Sequence, residues 1–147
     1  MARVRQRTAQ DDDLTAADYR SLGAFRYQIR RFLHFSEEAA KAEGLEPQQH
    51  QMLLAVRALD EPEGPTVGSL AEHLIIRHHS AVGLIDRLAE RGLVERTRGQ
   101  EDRRQVRVRL TAEGEGKLRR LSTAHREELR TSGRMLVETL GGLLSTK

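Results

Sequence analysis

Residues 66–111 read TVGSLAEHLIIRHHSAVGLIDRLAERGLVERTRGQEDRRQVRVRLT, and this stretch decides the fold. It opens with a short helix capped by either Thr66 or Ser69; Ser69 stands three residues before Glu72, the spacing of a capping box. A second helix is predicted over 78–91, with Val82, Ile85, Leu88 and Ala89 as its apolar stripe and Gly92 as its stop. Residues 93–98 and 105–111 then read as two strands, the second with Val106, Val108 and Leu110 on one face. The polar link 99–104 joins them as a hairpin.

A short helix, a tight turn, a second helix and a basic hairpin in that order make a winged helix-turn-helix. The second helix suits the major groove of duplex DNA, which is about 12 Å wide and displays the full base code. Its N-terminal residues are the expected readers, because that end enters the groove and attracts phosphate. They are Arg77, His78, His79 and Ser80, all able to hydrogen-bond to bases or phosphates. At the hairpin tip stand Asp102, Arg103 and Arg104, with Arg98 at its base. An arginine on a protruding loop suits a narrow minor groove, where the potential is most negative. A solvated turn with weak surface ion pairs is the bland alternative, and the preceding recognition-type helix argues against it.

Outward on the N-terminal side, 45–59 reads as a helix with Pro47 in its first turn and Met52, Leu53, Val56 and Leu59 as its apolar positions. Residues 60–65 form a loop by composition. Before them, Thr15 and Asp18 resemble a helix start, and Leu22, Phe25, Ile29, Phe32, Leu33 and Ala40 recur at spacings of three and four up to Gly44. The first 13 residues, basic and then triply acidic, read as a mobile tail. On the C-terminal side, Thr111 caps a helix running to about Gly133, and Met135, Leu136, Leu140, Leu143 and Leu144 belong to a last one. These outer helices carry more apolar stripe than a small winged domain covers, which predicts a two-fold homodimer. The whole is one domain, mostly α with a small β-hairpin wing: 47–111 binds DNA, and 14–44 with 112–147 dimerise.

Composition agrees. The 147-residue chain has a net charge of +3, but residues 77–109 hold nine Arg against five acidic residues, +4, and the remainder nets −1. The positive excess thus lies on the helix and hairpin assigned to DNA. Aromatics are 3% with no Trp, which argues against an aromatic platform for single strands. Absence of cysteine removes disulfides, thiolate metal sites and thiol chemistry. No run is long and apolar enough for a membrane span, and the N-terminus lacks the apolar core of a secretory signal, so a cytoplasmic address without membrane attachment is expected.

Other classes fare worse. No G-x-S-x-G elbow, P-loop or H-E-x-x-H occurs, so an enzyme is not expected, and no cofactor is called for. Adjacent helical residues point about 100° apart, so His78 and His79 do not chelate one ion. His34, His50 and His125 fall on three helices, and their convergence would make a metal-responsive regulator, though ordinary polar roles suit each. A winged helix can also be a protein-docking module; its arginine-rich wing is the feature against that.

In order and spacing, Leu70-Ala71, the run from Asp86 to Val94, Asp102 to Arg104 and Leu110 to Gly114 resemble the helix-turn-helix, wing and wing exit of the MarR (multiple antibiotic resistance regulator) family. The resemblance covers residues in the centre and helix layout at the ends. It implies a homodimer with intertwined terminal helices that binds an inverted-repeat operator and, as a repressor, is relieved by a small-molecule effector. It further implies that Asp102 pairs with and orients Arg104 for the minor groove, and that Arg87 lies near the phosphate backbone. If the family's effector pocket is present, Arg26, His34 and His50 on the first two helices are its polar lining. One departure is Glu46, where relatives often place a Thr or Ser cap; another is the missing cysteine, which excludes a thiol switch.

Overall fold

Seven elements follow one another in the computed structural model, which describes residues 13–145: α1 (Ala16–Ala42), α2 (Pro47–Ala58), α3 (Val67–Leu74), α4 (His78–Glu90), β1 (Val94–Arg98), β2 (Val106–Leu110) and α5 (Ala112–Leu144). The tail expected over 1–13 lies, apart from Asp13, outside the described residues. The described residues sort into two compact units: one is 34–127, and the other joins 13–33 to 128–145.

The unit of 34–127 holds the core. Met52 and Leu53 of α2, Leu70 of α3, Ile85 and Leu88 of α4, Leu93, Val108 of β2 and Leu121 of α5 are all buried. On α4 the buried stripe is Ala81, Leu84, Ile85 and Leu88, whereas Val82 is exposed. The expected stripe was thus rotated by about one residue: Ala81 is small but its i, i+3, i+4, i+7 series is the one that faces inward. The start of α2 answers the Glu46 departure. The Gln49 side chain accepts the Glu46 backbone N–H and an Arg91 guanidinium N–H on the same oxygen, each at 3.0 Å, so a buried amide ties the start of α2 to the end of α4.

β1 and β2 pair antiparallel, with Val94 opposite Leu110 and Arg98 opposite Val106. A third segment adds to this hairpin: Thr66 bridges Arg107, and the Val108 N–H donates to Pro65 O at 3.0 Å. Gly64 makes that approach, since a Cβ there would lie 2.3 Å from Val108 O and its φ is +87°. Thr66 caps α3 by accepting the Ser69 N–H at 3.1 Å, which decides between the two expected caps. Thr111 caps α5 in the same way, accepting the Gly114 N–H at 3.1 Å.

The second unit is built from the first two thirds of α1 and the second half of α5. Thr15 and Asp18 bond reciprocally at its start, as expected from their spacing, and those bonds hold the Asp18 carboxyl below the usual carboxylate range. The two C-terminal helices expected from the sequence are one continuous helix of 33 residues. Gly133 keeps a right-handed backbone, and one glycine inside a helix costs only about 1 kcal/mol, too little to end it. No described residue of 13–33 or 128–145 is buried in the single chain, and Tyr19, Tyr27, Val137 and Leu144 are more than half exposed.

Candidate nucleic-acid interface

The α3–turn–α4 segment presents the expected readers to solvent. Arg77 is the N-cap residue of α4, in extended conformation, and its side chain makes no capping bond. The first-turn N–H groups of α4 therefore stay available to an anion. Arg77, His78, His79 and Ser80 are all exposed. Arg87, also exposed, lies seven residues after Ser80 and so on the same side of α4. The N-terminal end of one helix thus exposes a cation, two imidazoles and a hydroxyl, with a second cation two turns further on.

The wing tip is stiffened by its own bonds. Gly99 N–H donates to Gln105 O at 3.0 Å, and Gln105 N–H donates to Asp102 O at 3.1 Å. The Arg98 guanidinium donates to Arg103 O at 3.0 Å. The Asp102 carboxylate accepts the Arg104 backbone N–H at 3.0 Å. Asp102 thus bonds Arg104 through its backbone N–H and fixes the backbone on which Arg104 stands, while the Arg104 guanidinium has no partner among the described residues. Arg98 is likewise a strut of the tip. Arg103 and Arg104 remain exposed and project their charge outward.

Three further arginines in the basic stretch are occupied internally, which composition alone does not show. Arg96 on β1 pairs with Asp86 on α4. Arg107 on β2, one-fifth exposed, reaches Glu61 at 2.7 Å and Gly64 O at 2.9 Å, anchoring the wing to the 60–64 loop. Arg109 donates to Pro62 O and Glu63 O. Their signal in the sequence is alternation: 107 and 109 flank inward-facing Val108.

The residues expected to line an effector pocket are distributed differently. Arg26 is exposed and belongs to the unit of 13–33 with 128–145, whereas His34 and His50 belong to the other. His34 is exposed. His50 is 4% exposed, and its Nδ1 has no hydrogen-bond partner. Its ring lies 4.9 Å from that of His125, tilted by 44°. His125 in turn bonds Leu121 O at 2.6 Å and the Ser36 hydroxyl at 2.8 Å, with Phe35 edge-on at 5.3 Å. Burial, and then the neighbouring His125, push the His50 pKa down to about 4. No group of three or more metal-ligating side chains forms among the described residues, so His34 does not join His50 and His125 in a cluster of the kind the metal-responsive alternative needs. A cleft of about 230 Å³ beside α2 and β2, lined by Arg57, Glu61, Arg109 and Glu115 among others, includes none of Arg26, His34 and His50. No helix in the described residues is long and apolar enough to cross a membrane.

Known proteins share this fold. The MarR family model matches residues 43–105, from the end of α1 to the wing tip. The chain is 35% identical over 89 residues to the transcriptional activatory protein BadR of Rhodopseudomonas palustris, covering 60% of this chain and 51% of BadR. It spans about half the length of the curated relatives it matches. Among solved structures, CouR from Rhodococcus jostii RHA1 bound to p-coumaroyl-CoA superposes with a TM-score of 0.67 at 24% identity, over 88% of this chain and 93% of CouR. A mutant of S. aureus MepR bound to an oligodeoxyribonucleotide superposes with a TM-score of 0.65 at 18% identity, over 90% and 98%. Those likenesses concern the fold. Through the winged-helix segment of 43–105, the chain is similar to the MarR family.

Proposed function

We propose that the protein is a transcriptional regulator that binds duplex DNA sequence-specifically as a homodimer. The observation that carries this reading is the exposure of Arg77, His78, His79 and Ser80 on the first turn of an uncapped α4, with Arg103 and Arg104 free on a stiffened wing. On the duplex, α4 enters the major groove, Arg104 enters the adjacent minor groove and Arg87 meets phosphate. Residues 47–111 bind DNA, and 14–44 with 112–147 bring two copies together. The unburied apolar residues of the terminal unit support that pairing.

The test is footprinting of the purified protein on the promoter region of its own gene. The expected result is a protected inverted repeat with half-sites about 10 base pairs apart. If selection from a random duplex pool yields no bound DNA, the winged helix is a protein-docking module instead.

Control is proposed to be repression by promoter occupancy, relieved when a small-molecule effector binds. The effector is proposed to meet the unit of 34–127 at His50, whose buried Nδ1 has no hydrogen-bond partner. Deleting the gene should raise expression from the footprinted promoter. A fall in expression would replace repression with activation, the activity named for BadR.

A further inference from the structure

Three helices end in one hydrogen-bonding pattern. Just past α1, α3 and α4 a residue takes a left-handed backbone: Gly44 at φ +73°, Ile75 at +55° and Gly92 at +71°. Gly44 donates to Lys41 O and Leu45 to Ala40 O, both at 2.9 Å. Ile75 donates to Glu72 O at 3.1 Å and Ile76 to Ala71 O at 3.0 Å. Gly92 donates to Ala89 O and Leu93 to Leu88 O, both at 3.0 Å. The next side chain turns back to the core each time: Leu45 and Leu93 are buried and Ile76 packs against it.

Glycine fills two of the three positions, as the conformation favours. The third holds a β-branched residue, for which a left-handed backbone is a strained outlier. Burial does not offset that strain, since Ile75 is 91% exposed, the most exposed of the large apolar residues described. Folding therefore gives no reason for isoleucine at 75. Its position does. Ile75 occupies the turn between the two helices of the helix-turn-helix, two residues before Arg77. The exposed side chains around it in the chain are His73, Arg77, His78 and His79, and Glu72 is the sole carboxylate of 66–80. An apolar group among cationic and hydrogen-bonding ones matches the major-groove edge of DNA, where the thymine 5-methyl is the apolar feature beside polar base edges and phosphates.

We infer that Ile75 is a specificity-determining residue that packs on a thymine 5-methyl group, and that the strained turn is retained for this contact. The inference rests on the DNA-binding reading above and adds a reader outside the first turn of α4. Strain that has no folding benefit and sits at a binding surface is the pattern expected of a functional position.

The experiment compares the full chain with Ile75→Gly on a duplex selected by the wild type from a random pool, and on the same duplex with deoxyuridine in place of each thymine in turn. Ile75→Gly should melt higher by roughly 2–5 °C, because the turn relaxes. It should bind the selected duplex roughly 5- to 30-fold more weakly. One thymine position should weaken wild-type binding when its methyl is removed and leave Ile75→Gly unaffected. Ile75→Val, which keeps a branched apolar group, should retain most of the affinity. Equal affinity of Ile75→Gly and wild type overturns the inference, as does a loss of affinity with an unchanged deoxyuridine profile, which would place Ile75 on sugar or protein. If the wild type selects no duplex at all, the DNA-binding reading itself has failed and this contact falls with it.

Discussion

Asp102 accepts the backbone N–H of Arg104 at 3.0 Å, so the carboxylate shapes the wing turn and leaves the arginine's guanidinium uncommitted. The same turn is braced by Arg98 on Arg103 O and by Gly99, where a Cβ would lie 2.8 Å from Asp102 O. A charge on a stiff tip reaches a narrow groove with little ordering cost. The wing therefore divides into residues that hold the turn and residues whose side chains stay free for the proposed DNA contact.

That division separates three substitutions. Arg104→Ala should weaken specific and non-specific binding alike and lower the salt slope by about one unit per wing contact. Asp102→Asn keeps an acceptor oxygen for the Arg104 N–H and should bind nearly as the wild type does. Asp102→Ala loses the acceptor and should fall between them. Binding to operator and scrambled duplex across a salt series checks all three. A loss for Asp102→Asn equal to that of Asp102→Ala would mean that the negative charge, and hence a pairing with the guanidinium, is what matters.

Gly114 lies where α5 crosses the residue that opens the hairpin, and a Cβ there would stand 2.1 Å from Leu93 O. The obstacle is backbone, pinned by the Thr111 N–H at 3.1 Å, and cannot swing aside as a side chain would. Gly114→Ala should destabilise the fold by about 3 kcal/mol or more, read as a lower midpoint in urea. Gly116→Ala is the control: its Cβ would meet only the far end of Arg120 at 3.6 Å, and the exchange should be neutral or slightly stabilising.

The winged helix was legible because its signals are local. Gly92 stops α4, the period changes from about 3.6 to 2 within a few residues, and Thr66 and Thr111 stand where caps belong. What was not legible depends on which atoms meet. The phase of α4 turned on Ala81, whose small side chain carries little hydropathy signal although it is fully buried. Gly133 suggested a break that a right-handed backbone does not make. Residue types at the wing tip did not say whether Asp102 bonds a side chain or a backbone amide. His125 becomes the neighbour of His50 only once α5 packs in the unit of 34–127, 75 residues away in sequence. Ile75 left no such signal, because its left-handed backbone is a property of the folded turn.

The terminal unit makes a claim about association. Its described residues include no buried side chain, yet Leu136, Leu140 and Leu144 recur at helical spacing on α5 beside the exposed Val137. A second copy is the proposed cover. Sedimentation should show a dimer at micromolar concentration, and the double substitution Val137→Glu with Leu140→Glu should shift it to monomer while preserving the helical signal. A wild-type monomer at that concentration would remove the dimer from the proposed function.

His50 gives the fold a dependence on acid. Its folded-state pKa is pushed from the ordinary 6.5 down to about 4, first by burial and then by His125. In the unfolded chain the ring is solvated and takes a proton near 6.5, so between pH 6.5 and 4 the unfolded state binds a proton that the folded state refuses. Stability is therefore indifferent to this group above about pH 7 and falls as pH drops from 6.5 toward 4, by roughly 2–3 kcal/mol over the whole window. His50→Gln keeps an amide of similar reach without the titration. It should cost some stability at about pH 7.5, since it disturbs a packed site, but its stability should decline less between about pH 7 and 4.5. The measurement is the urea midpoint of each protein at several pH values. The comparison uses the difference between the two pH profiles, because carboxylates such as Asp18 and Glu38, both held below their ordinary range, act alike in the two proteins. Parallel profiles would show that His50 is protonated equally readily in both states, and that the buried ring pair carries no acid sensitivity.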